Sequence, residues 1–143
     1  MTTVRQVLDQ KGHQVWSIQA DDSVLHALQQ MADRDIGTLA VMDGERFVGM
    51  FSERHYARNV FLKGRSSPTT PIRDVMRSDV ACVDPDATVE DCMAIMTESR
   101  VRYLPVLEND QLAGIVSIGD MVKTIIDNQE VTIKQLVNYI SGA

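Results

Sequence analysis

Cysteine is scarce in this chain: Cys82 and Cys92 are the only two among 143 residues. They lie in apolar surroundings, with neither C-x-x-C spacing nor a histidine-rich neighbour, a pattern that predicts buried thiols in a reducing compartment and argues against a disulfide or a zinc site. Histidine is scarce too. His13, His26 and His55 stand apart without metal-ligand spacing, and no serine or cysteine has an evident base partner, so nothing points to a nucleophilic or metal-dependent enzyme. Asp84, Asp86, Glu90 and Asp91 read as helix-start charge complementing a dipole. No apolar run approaches the roughly 18 residues of a membrane span. The opening "MTTVRQVLDQKG" lacks the apolar core of a signal peptide, so a cytoplasmic protein with no membrane partner is expected. Basic residues are outnumbered, 14 Lys and Arg against 20 Asp and Glu, which argues against a general nucleic-acid binder.

What the chain does have is 44% apolar residues, enough for a core of ordinary size, and an internal repeat. Shifted by 65 residues, the sequence registers on itself without a gap. Val15 falls on Val80, Ile18 on Val83, Val24 on Val89, Met31 on Met96, Ile36 on Val101, Leu39 on Leu104, Gly49 on Gly114 and Ser52 on Ser117. In the first copy "VWSI" predicts a strand and "ADDSVLHALQQMADR" an amphipathic helix with Val24, Leu28, Met31 and Ala32 on one face. "TLAVM" and "RFVGMF" around "DGE" predict a hairpin, and "SERHYARNVFL" a second helix. The second copy repeats the order with "VACV", "DATVEDCMAIMTES", "YLPVL" and "LAGIV" around "END", and "SIGDMVKTIID". Short helices "VRQVLD" and "TIKQLVNYI" are expected at the two ends. The fold class is therefore α+β, two pseudo-twofold-related β-α-β-β-α units packed through their sheets. Residues 1–65 are expected to form the first unit with the N-terminal helix, and 66–143 the second with the connector and C-terminal helix.

The arrangement resembles a tandem pair of cystathionine β-synthase (CBS) domains, the Bateman module. The residues that carry the likeness are "PIRDVM", "VDPDATVEDCMAIM", "RYLPVLENDQLAGIVSIGD" and their weaker first copy. "GMFSERHYARNVFLKGRSSPTTPIRDVM" is similar, more narrowly, to small stand-alone bacterial CBS-pair proteins that carry an SERDYAR phrase. The resemblance implies adenine-nucleotide binding, with AMP, ATP or NAD as a regulatory ligand and no catalytic cofactor.

The residues suit such a ligand. A strand that ends at Gly114 and turns into a helix at Ser117 offers backbone N–H groups to a phosphate, and an acid three residues on can accept both hydroxyls of a ribose. Ser117-x-x-Asp120 is equally a capping box, which needs no ligand, and both roles can hold at once. By the resemblance, one nucleotide site comprises Val15, Trp16, Ile36, Gly37, Thr38, Ser117, Gly119 and Asp120. The other comprises Ser52, Arg54, His55, Arg58, Val80, Ala81, Val101, Arg102, Tyr103 and Pro105. The aliphatic members are equally explained as core, and Trp16 as a hydrophobic cover or a contact at a subunit surface.

The copies differ in their last letter. Where the relatives have aspartate, the first copy has His55, which cannot hold a diol as a carboxylate does. With Arg54, Arg58, Lys63 and Arg65 nearby, the His55 site is expected to be a weaker, pH-sensitive anion site. The resemblance further implies a homodimer joined through helices, signalling to a target protein that the sequence does not name. The alternative is a constitutive protein-interaction scaffold with vestigial nucleotide clefts.

Overall fold

Two prolines decide how the repeats differ in their sheets. In a computed structural model, which describes residues 1–142, the first copy forms β1 (Ser17–Gln19), α2 (Val24–Arg34), β2 (Thr38–Asp43) and β3 (Arg46–Ser52), after an N-terminal α1 (Val4–Lys11). Strand β1 pairs in parallel with β2, and β2 antiparallel with β3. Ala40 N–H donates to the Trp16 carbonyl and Ala20 N–H to the Met42 carbonyl, closing both ends of the β1 ladder. The 65-residue shift puts Pro105 at Ala40 and Pro85 at Ala20. Proline has no N–H to give. The expected strand "VACV" is accordingly reduced to one parallel bridge, Val83 to Val106, beside the two-stranded sheet of β4 (Tyr103–Glu108) and β5 (Gln111–Ser117).

The helices keep the register more closely. Ser23 caps α2, and Thr88 caps α4 (Val89–Ser99) in a capping box; each helix ends on a left-handed residue, Asp35 at φ 52° and Arg100 at φ 54°. On α2 the inward face is Val24, Ala27 and Met31 with Leu28 alongside; Ala32, expected there, is exposed. The helix after β3 starts as α3 (Glu53–Tyr56) and widens into a π-helical turn, Ala57–Phe61. Gly64 follows at φ +67°, a conformation that favours glycine and stops the helix. The matching place holds Gln129, and no breaker follows until Gly142. The two helices expected at the C-terminus are therefore one, α5 (Ile118–Ile140).

The chain divides into two compact units, and the division corrects the expected boundary at residue 65. The first-repeat unit is Gln14–Val80 with Asn109–Leu112; the second-repeat unit is Met1–His13, Ala81–Glu108 and the chain from Ala113 onward. Helix α1 thus belongs with the second copy, and the connector with the first. The cause is a pair of similar segments, Val4-Arg5-Gln6-Val7-Leu8 and Ile72-Arg73-Asp74-Val75-Met76, each of which completes the core of the copy it is not attached to in the expected order.

Val4, Val7 and Leu8 are buried with Leu104, Val106 and Val116. Ile72 and Val75 are buried with Leu39, Val41 and Phe51. The docking is matched bond for bond, the donors offset by 68 residues and the acceptors by 65. Val4 and Arg5 N–H donate to the carbonyls of Ala87 and Pro85; Ile72 and Arg73 N–H donate to those of Asp22 and Ala20. Arg5 pairs with Glu108 (2.7 Å) and Asp86 (3.7 Å), and Arg73 with Asp43 (3.8 Å) and Asp21 (3.0 Å). A Cβ on Gly114 would meet Leu8 at 2.6 Å, and one on Gly49 would meet the Arg77 carbonyl at 2.6 Å, so each glycine is the space its segment fills. Cys92 is buried and Cys82 half-buried; burial raises both thiols, with Asp91 adding to the effect at Cys92, pushed up to about 11.

Candidate functional site

Each unit gathers several of the selected residues at one end of its sheet. In the second-repeat unit β5 ends at Ser117, whose Oγ accepts from Asp120 N–H (3.1 Å) while Asp120 Oδ2 accepts from Ser117 N–H (2.8 Å). The expected capping box is thus formed. Ile118 N–H donates to the Arg102 carbonyl, which lays Val101, Arg102 and Tyr103 beside the same turn. A further residue completes it, one that the sequence reading missed. Lys11, at the end of α1, donates to Asp120 Oδ2 (2.5 Å) and to the Ile115 carbonyl (2.9 Å). The carboxylate oxygen that caps α5 is therefore also neutralised by an ammonium. Next along the chain, His13 sets its Nδ1 3.2 Å from the Ala113 carbonyl and its Nε2 3.2 Å from Asp9.

The first-repeat unit repeats the turn with a different charge. Ser52 Oγ accepts from His55 N–H (3.2 Å) and lies 2.9 Å from His55 Nδ1. Glu53 N–H donates to the Gly37 carbonyl, and Thr38 Oγ1 to that of Phe51, which brings Gly37 and Thr38 to Ser52. Burial lowers the His55 pKa below its ordinary 6.5, and the cations Arg77, Arg54 and Arg58 lower it further, with Asp79 opposing them. The expected pH-sensitive anion site therefore does not begin with a histidine that adds positive charge near neutrality: burial and the three cations both favour the neutral ring. Arg77 is the second residue the sequence reading missed. It is fixed by a two-way backbone bridge to Met50 and lies 3.3 Å from Asp79. Arg54 and Arg58 are exposed.

The remaining candidates lie as follows. Trp16 is 37% exposed, with the Arg34 guanidinium 3.5 Å from its ring centre, a cation–π contact that covers one face. Val15 and Ile36 are half-buried in the first-repeat unit, as is Val80. In the second-repeat unit Ala81 is half-buried, Pro105 buried, and Gly119 and Tyr103 exposed. A depression of about 580 Å³ opens beside α4, lined by Cys82, Val83, Asp84, Asp86, Ala87, Asp91, Ala94 and Ile95. It includes none of the candidates, and three carboxylates on its wall disfavour a phosphate. Among the described residues no group of three or more His, Cys, Asp or Glu side chains could hold a metal ion, and no helix is long and apolar enough to cross a membrane.

The family model for the CBS domain matches the chain twice, over residues 4–61 and 72–127. The chain belongs to the CBS-domain family. Its two CBS copies account for the gapless repeat and the matched docking segments. Among curated relatives, the mitochondrial CBS domain-containing protein CBSX3 of Arabidopsis thaliana is 31% identical, covering 99% of this chain and 73% of the relative. Among solved structures, the CBS domain protein NE2398 is 46% identical with a TM-score of 0.82, covering 87% of this chain and 98% of that one. A CBS-domain protein of Burkholderia ambifaria MC40-6, named for a role in signal transduction, is 42% identical with a TM-score of 0.83 and covers 90% and 96%. None of the three is named as an enzyme.

Proposed function

We propose that this CBS pair is a regulatory module that binds an adenosine-containing nucleotide, of the AMP, ATP or NAD class, and signals to a target protein through the conformation of a homodimer. The observation that carries the reading is Asp120, a half-buried carboxylate held at a strand-to-helix turn by Ser117 N–H and Lys11, where a ribose diol can be accepted. The base-reading role implied by the family resemblance for Val15, Trp16, Ile36, Gly37 and Thr38 remains part of the proposal. At His55 the neighbouring Arg77, Arg54 and Arg58 favour phosphate over ribose. The scaffold reading also has an observation in its favour: Asp120 is already satisfied from within its own unit and needs no ligand to be stable.

Isothermal titration of the full chain with AMP, ATP, NAD and GMP separates the two. Saturable binding of an adenine ligand that GMP does not match supports sensing. Absence of binding by all four leaves the scaffold reading.

A further inference from the structure

The distal half of α5 is unlike a solvated helix. Every residue from Gln129 to Ile140 is exposed, yet apolar side chains recur there at seven-residue steps. Ile126, Ile133 and Ile140 form one row, and Val122, Gln129 and Leu136 a second row, offset by three or four residues. Those are the a and d places of a heptad seam, the period by which one helix recognises another along its length. The five apolar members are 45% to 82% exposed. The seam is not the face α5 turns toward its own unit, because Met121 is buried in that core with Ile125 packed against it. Helix α5 therefore carries two apolar faces, one of them already used.

We propose that the free face pairs with the same face of a second copy of this chain, the two helices running antiparallel. In an antiparallel pair each a residue faces a d residue: Ile126 meets Leu136, Ile133 meets Gln129, and Ile140 meets Val122 of the other copy. The free end of each helix thereby covers the exposed side chains that the other carries near its own folded unit. A parallel pair would instead set the two folded units side by side at one end and leave the distal ends to cover only each other.

The seam supplies most of the area a dimer needs. A fully exposed aliphatic side chain offers roughly 60–120 Å² by the relation of transfer energy to area. At the exposures of the seam and of Val137 and Tyr139 beside it, two helices bury on the order of 800 Å² of apolar side chain, the larger part of the ~1,000 Å² of a specific interface.

The pairing rests on the homodimer of the preceding reading and is independent of any nucleotide. Sedimentation of the full chain tests it. Leu136→Glu is expected to raise the dimer dissociation constant at least about tenfold while leaving circular dichroism and melting unchanged, since Leu136 lies on the exposed stretch. A dimer of unchanged dissociation constant overturns the seam and leaves the homodimer standing; a wild-type monomer at tens of micromolar overturns both. Cysteine crosslinking fixes the direction. Mixing Ile126→Cys with Leu136→Cys is expected to give a crosslinked dimer absent from either variant alone, because each single position lies roughly 15 Å from its own copy in the antiparallel pair. Crosslinking of either single variant with itself overturns the antiparallel arrangement.

Discussion

The two turns at Asp120 and His55 share a backbone and differ in charge. Both begin with a serine that caps its helix through the third residue on, and both are backed by a docked segment that fills the space over a glycine. At Asp120 the segment brings Lys11, and opposite charges meet. At His55 it brings Arg77, and three arginines act on one imidazole through their charge. The backbone of a repeat is thus conserved by caps and packing, while its chemistry is reset by one side chain on the turn and one on the docked segment. On the proposed reading, the first arrangement suits a ribose and the second an anion.

Asp120→Ala breaks the comparison most severely. It is expected to weaken adenine-nucleotide binding about tenfold to a hundredfold, the worth of charge-assisted hydrogen bonds of about 1.5–3 kcal/mol. Loss of the reciprocal bond of the capping box, with Ser117 still capping, lowers stability by up to about 1 kcal/mol. Asp120→Asn keeps an acceptor for Ser117 N–H and should restore most of the melting temperature but not the affinity, measured by titration and thermal melting on the same samples. Binding left nearly intact in both variants, with only Asp120→Ala melting lower, would mean capping alone.

His55→Asp makes the turns alike. It is expected to add a second nucleotide site of affinity within about tenfold of the first, and to raise the melting temperature because a carboxylate joins Arg77, Arg54 and Arg58. The pH dependence carries its own sign. The folded-state pKa of His55 lies below its unfolded value, so the unfolded chain binds the extra proton, and stability present above about pH 6.5 falls as pH drops below it. An anion bound among the arginines offsets the charges that depress His55, raises its pKa, and so binds more tightly at lower pH. Sulfate, which keeps its charge over this range, titrated at pH 5.5 and 7.5, and melts at the same two pH values, check both signs, and the His55 part of both dependences should be missing from His55→Asn.

The smallest effect is expected from Lys11→Met. It frees Asp120 Oδ2 of its ammonium and should tighten nucleotide binding a few-fold, with a stability change under about 1 kcal/mol because the pair is partly exposed. Weakened binding would instead give Lys11 a direct part in holding phosphate.

The repeat, the hairpins and the caps were legible because they are local: a gapless shift exposes matching apolar periods and Ser-x-x-Asp spacing. Pro105 and Pro85 were visible too, but the apolar run "VACV" outweighed the N–H groups those prolines lack. Lys11 and Arg77 were not legible, because nothing local ties Lys11 to a residue 109 positions away. The two docking segments match each other at a shift of 68, not 65, so the shift that reveals the repeat hides which copy each segment completes.

That exchange of segments has a consequence for the order in which the molecule is made. Gln14–Val80 holds most of what the first-repeat core needs, including Ile72 and Val75, and can close as soon as that stretch has left the ribosome. Helix α1, synthesised before that stretch, cannot dock then. Val4, Val7 and Leu8 belong among Leu104, Val106 and Val116, so their apolar face must wait for more than a hundred residues of chain. Such long-range closure slows folding and leaves α1 open to competing contacts. A helix made before the first-repeat core thus finds its place only after it.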